Sequence, residues 1–166
     1  DRMDKEYLEK PKKWTASSIG KFMVWLGPTS SIFDITTYLL MYFVVCPAVI
    51  GGSYHSLSPD QQVAFIAIFH AGWFVESLWS QTLVLHALRT PQIPFIQSRG
   101  SFIMTVITTL GIVVGTLLPF TNFGQNLGLG ILPNQYWLWL VVTILAYLLL
   151  VTLVKKIYIQ RYQELL

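Results

Sequence analysis

Two carboxylates lie in stretches that offer them no counter-charge. Glu76 sits in Trp73-Phe-Val-Glu-Ser-Leu-Trp79, and Asp34 in Ser30-Ser-Ile-Phe-Asp-Ile-Thr-Thr37. From Phe22 to Leu88 the only formal charges are Asp34, Asp60 and Glu76, and from Gly100 to Val154 there are none. A carboxylate in apolar surroundings is expensive to keep ionised, so it faces a protein interior or a water-filled path. Asp34 and Glu76 are therefore candidates for a cation or proton path. A structural reading competes: each acid is neutral or bonded to neighbouring hydroxyls, such as those of Thr37 and Ser80, and locks helices together. Ser30, Asp34, Thr37 and Met41 fall at i, i+4, i+7 and i+11, a polar stripe that should face other helices. Gln81 reads as an interhelical hydrogen bonder.

The remaining reactive residue types offer less. His70 and His86 are sixteen residues apart on one apolar run, near its opposite ends, and His55 lies outside it. No pair has the spacing of a zinc site. The lone Cys46 excludes an internal disulfide and a cysteine-based metal centre, and reads as a small apolar filler. There is no phosphate-binding loop, no GxGxxG and no nucleophile elbow, and the loops are too short for a nucleotide domain. No catalytic residue, cofactor or nucleic-acid partner is expected for this segment itself.

The elements that must position the two acids are membrane helices. The chain has 166 residues, 54% apolar and 11% charged, whereas soluble domains carry about a quarter charged residues. The pattern predicts an all-α membrane protein, a four-helix transmembrane bundle with spans at about 19–47, 62–88, 102–119 and 136–154. Each reaches the roughly 20 residues that cross a bilayer, the third only just. Residues 1–18 form a cytoplasmic loop or short helix, and 19–166 the bundle. Gly27-Pro28 should kink the first span, because proline removes an internal hydrogen bond. Gly111 and Gly115 form a GxxxG pair that would allow close helix approach. Trp73 and Trp79 either join an interfacial aromatic belt or pack around Glu76. Pro91 and Pro94 forbid a helix through the loop from Arg89 to Arg99.

Basic residues set the orientation. Six lie before or in the first turn of the first span, two in the 89–101 loop and three after the last span, while the loops at 48–61 and 120–135 have none. The positive-inside rule puts both termini and the 89–101 loop in the cytoplasm. Asp34 is thirteen residues beyond Lys21 and Glu76 thirteen before Arg89. At 1.5 Å per residue, both lie about 20 Å from that face, at nearly one depth. No secretory signal is visible, and the start at Asp1 reads as a cut into something longer.

Three runs carry a resemblance: Gly27-Pro-Thr-Ser-Ser-Ile-Phe-Asp-Ile-Thr-Thr-Tyr38, Gly72-Trp-Phe-Val-Glu-Ser-Leu-Trp-Ser-Gln-Thr82, and His86-Ala-Leu-Arg-Thr-Pro-Gln-Ile-Pro-Phe-Ile-Gln-Ser98. Together with Asp1-Arg-Met-Asp4 and Lys10-Pro-Lys-Lys-Trp14, the chain resembles the C-terminal membrane region of bacterial magnesium-transporting P-type ATPases of the MgtA/MgtB type. The resemblance implies spans seven to ten of a ten-helix inner-membrane pump that imports Mg²⁺ at the expense of ATP through an aspartyl-phosphate. It also implies that the phosphorylation, nucleotide and actuator domains and the central ion-coordinating helices lie upstream. This segment would then be a support bundle, partnered by the bilayer and by the upstream helices and cytoplasmic domains of the same pump. Glu76 matches the eighth-helix glutamate that is an ion ligand in calcium pumps of the superfamily. The alternative is a free-standing four-span transporter, channel subunit or dimerising membrane protein, which the reading frame upstream of Asp1 would distinguish. Surfaces carrying Ser30, Asp34, Glu76 and Gly115 would favour self-association of an excised piece.

Overall fold

The structure, a computed structural model, describes residues 16–162; the sequence-based expectation for residues 1–15 lies outside the described residues. Helix α1 (Ala16–Leu40) runs on through Gly27 and Pro28 without ending there. Its departure from α geometry comes later, as a π-helical stretch at Met41–Val45 that leads into the short α2 (Cys46–Ile50). Gly51 ends that run in the left-handed region, at φ 91°, where glycine carries no Cβ penalty.

Helix α3 (Pro59–Leu88) starts with several agreeing signals. Pro59 opens the first turn, Asp60 complements the helix dipole, and the Ser58 amide donates to Gln61 Oε1 at 3.1 Å. Helix α4 (Phe102–Leu117) starts at Ser101, whose hydroxyl accepts from the Met104 amide at 3.3 Å. A 3₁₀ turn at Leu118–Phe120 and the short α5 (Asn122–Asn126) form the next connection, and α6 (Asn134–Tyr162) completes the described chain. Among the described residues there is no β-strand, only an isolated bridge between Pro94 and Ser98. Four stretches are long and apolar enough to cross a membrane: Ala16–Ser56, Pro59–Leu88, Phe102–Phe120 and Asn134–Tyr162.

Helices α1, α3 and α6 pack against one another, whereas α4 packs chiefly on α3. The four-helix bundle is thus a triangle with a fourth helix at its edge. One apolar cluster joins Met41, Val45 and Cys46 to Phe65, Ile68, Ala71 and Val75 of α3 and to Tyr136, Leu140 and Ile144 of α6. A second, smaller cluster lies towards the other end and contains Ala87, Tyr147 and Val151, with Phe33, Val84 and Leu88 against it. The outward side chains of α4 and α6 are apolar; Phe102 is 82% exposed and Leu138 70%. Such surfaces suit lipid, in which backbone bonds satisfied within each helix are the condition for crossing.

Candidate ion-path site

Between the two apolar clusters the facing positions turn polar. Thr37, Glu76, Ser80 and Thr143 are buried, and Asp34 is half-buried. The sequence explains this layer as a break in two helical stripes. On α1, Asp34 and Thr37 stand between Phe33 and Met41; on α3, Glu76 and Ser80 stand between Val75 and Val84.

Glu76 is 1% exposed, and neither carboxylate oxygen has a hydrogen-bond partner. The hydroxyls of Ser80 and Thr37 lie beside it, without the geometry of a hydrogen bond to the carboxylate. Ser80 instead donates to the Ser77 carbonyl at 3.2 Å. Thr37 Oγ1 is itself buried and unpartnered. Asp34 accepts from the Ser77 hydroxyl at 3.3 Å, a bond that ties α1 to α3. Tyr147, 1% exposed, approaches both acids from α6. The structure therefore brings together Asp34, Thr37, Glu76 and Ser80, with oxygen atoms from two helices facing one buried layer. Three of these atoms, both Glu76 oxygens and Thr37 Oγ1, are buried without satisfaction, which in a native structure calls for an explanation. No group of three or more His, Cys, Asp or Glu that could hold a metal ion occurs among the described residues. The layer has hard oxygen donors, the type that suits Mg²⁺, but only two of them are carboxylates.

The other residues singled out in the sequence sit elsewhere. Ser30 donates back to the Gly27 carbonyl at 3.2 Å and stays on α1. Gln81 is exposed. Gly115 faces Leu78 so closely that a Cβ there would collide with the leucine, whereas Gly111 has nothing within 4 Å of where its Cβ would lie. Trp79 donates to Thr116 Oγ1 at 2.9 Å and so ties α3 to α4, while Trp73 packs on Tyr38. His86 is buried, with Nε2 2.9 Å from Thr108 Oγ1 and its ring against Phe95. His70 and His55 are exposed.

Two features of α6 escaped the sequence reading. Tyr136 is 1% exposed and donates to the Gly72 carbonyl at 2.6 Å, one turn before Glu76. On Gly72 packs Met41 of the π-helical stretch, which a Cβ at position 72 would strike. Lys155 is buried rather than at a headgroup surface. A signal existed for both: Tyr136, Leu140, Ile144, Tyr147, Val151, Lys155 and Tyr158 follow helical spacing, and all of them are buried.

The chain matches the family described as "Cation transporting ATPase, C-terminus" over residues 1–157. It is 47% identical over 164 residues to a protein of Salmonella typhimurium strain LT2 named "Magnesium-transporting ATPase, P-type 1", covering 99% of this chain and 17% of that protein. A protein of the same name from Escherichia coli K12 is 40% identical over 162 residues, covering 98% of this chain and 17% of the relative. This chain thus spans about a sixth of the length of these relatives.

Proposed function

Since the chain belongs to the family of cation-transporting ATPase C-termini, we propose that it is the membrane support bundle of an ATP-driven Mg²⁺ importer, with Glu76 and Asp34 on the path of the ion. In this reading the segment carries no catalytic residue. ATP and the phosphorylated aspartate belong to upstream domains of the same pump, and those domains and helices are its partners together with the lipid bilayer. The bundle lies in a bacterial inner membrane with both termini and the 89–101 loop in the cytoplasm, as its basic residues support. Self-association of an excised piece would use the face that meets those upstream helices.

The observation that carries the reading is the unsatisfied pair of Glu76 oxygens at 1% exposure. A purely structural acid would have taken the Thr37 and Ser80 hydroxyls beside it as donors. A carboxylate left open and facing Asp34 is arranged for a partner that arrives from outside, a cation or a proton. Mg²⁺ keeps several of its waters and takes one or two carboxylates, which matches a layer with two acids and neutral hydroxyls.

The test is ATP-driven Mg²⁺ uptake by the complete pump in proteoliposomes, comparing wild type with Glu76→Gln. Glutamine keeps size and hydrogen-bonding capacity and removes the charge. Uptake should fall by about tenfold or more, a loss of about 1.4 kcal/mol or more in the transport step, with insertion and phosphorylation by ATP retained. Unchanged uptake would make Glu76 structural and move the ion path wholly upstream.

A further inference from the structure

The amine of Lys155 ends among backbone carbonyls. It donates to the oxygens of Ala87 at 2.8 Å, Thr90 at 3.1 Å and Gln92 at 2.8 Å, and the residue is 2% exposed. No carboxylate is among these acceptors. Three N–H donors require the protonated form, since a neutral amine has only two hydrogens. The position favours a cation for two further reasons. Ala87 lies in the last turn of α3, whose terminal carbonyls have no donor within the helix, and the negative end of the helix dipole points there. Thr90 and Gln92 belong to the proline-broken loop, which cannot offer those carbonyls a helical donor. Lys156, the adjacent base, is exposed and takes no part.

We propose that the carbonyls of Ala87, Thr90 and Gln92 form a monovalent-cation site whose resident cation is the Lys155 ammonium, and that this tethered cation fixes the loop between α3 and α4. The loop is already knitted internally. Arg89 Nη2 donates to Ser98 Oγ at 2.6 Å, the Phe95 amide to the Ser98 carbonyl at 3.0 Å and the Gln97 amide to the Ile93 carbonyl at 3.0 Å. Phe95 is held at φ 65°, a left-handed conformation unusual for a residue with a bulky side chain. Internal bonds give the loop its shape; Lys155 bonds that shape to the last helix.

Hydrogen–deuterium exchange on the full-length protein in lipid nanodiscs tests this. In Lys155→Met, which keeps most of the apolar stem, the amides of Phe95, Gln97 and Ser98 should exchange about tenfold faster or more, with α3 around Glu76 unchanged. Lys155→Ala should show the same opening, and excess methylammonium should reverse it while tetramethylammonium, which has no N–H donor, should not. Unchanged exchange in Lys155→Met would overturn the proposal, as would opening that spreads through α3. Failure of methylammonium to restore Lys155→Ala, or equal restoration by tetramethylammonium, would overturn the cation site.

Discussion

Gly72 and Met41 should be coupled strongly enough that one substitution changes sign with the background. Both are buried, Met41 with no exposed surface, and a Cβ at position 72 would strike the methionine's Sδ and Cε. Overpacking destabilises by about 1–3 kcal/mol, towards the low end where the struck atoms are the mobile end of a methionine. Replacing a helix-interior glycine with alanine returns about 1 kcal/mol through backbone propensity. Gly72→Ala alone should therefore destabilise by about 0–2 kcal/mol net. In a Met41→Ala background the obstructing atoms are gone and only the propensity gain remains, so the same change should stabilise by about 1 kcal/mol. Met41→Ala itself should destabilise by about 1–2 kcal/mol, towards or below the lower end of buried truncations, because separated helices in a bilayer already face an apolar medium. The assay is reversible denaturation of the four proteins in mixed micelles, followed by tryptophan fluorescence. Equal effects of Gly72→Ala in both backgrounds, within about 0.5 kcal/mol, would refute the contact and the close packing of the π-helical stretch on α3.

Two further outcomes are expected. Trp79→Phe removes the donor to Thr116 and should weaken the attachment of α4 by about 0.6 kcal/mol, up to about 1.7, read as faster crosslinking of cysteines placed on the outer face of α4. Gly130→Ala should destabilise by about 2–4 kcal/mol in the same denaturation assay, because its Cβ would lie 2.7 Å from the Ile68 backbone nitrogen and break the 2.8 Å bond from the Gly130 amide to the Ala67 carbonyl.

Hydropathy showed four apolar stretches because each needs a run of about 20 residues, and that length is a local property. Asp34 and Glu76 were legible for a similar reason: a lone acid in an apolar run stands out without knowledge of its neighbours. The layer that joins them was harder to see. Thr37 and Ser80 were named as companions, yet the sequence carried no sign that they would approach Glu76 without bonding to it. Gly27-Pro28 pointed to a kink in the first span; the helix continues through it, and the π-helical stretch at Met41–Val45 had no signal in the sequence. Lys155 read as a flanking base because hydropathy weighs a residue by type. Its burial follows from phase, as Val151 and Tyr147, one and two turns earlier, share its face.

The contact of α1 with α6 has a consequence for how the protein is made. Asp34 and Glu76 are synthesised early, while Tyr136 and Tyr147, which close the third side of their layer, come late. At about 5–20 residues per second, the 71 residues from Glu76 to Tyr147 take roughly 4–14 s to translate. For that interval α3 presents an acid on a face that α6 does not yet cover. A variant that slows delivery of α6 should expose this vulnerable intermediate to membrane proteases, even where the finished bundle is fully stable.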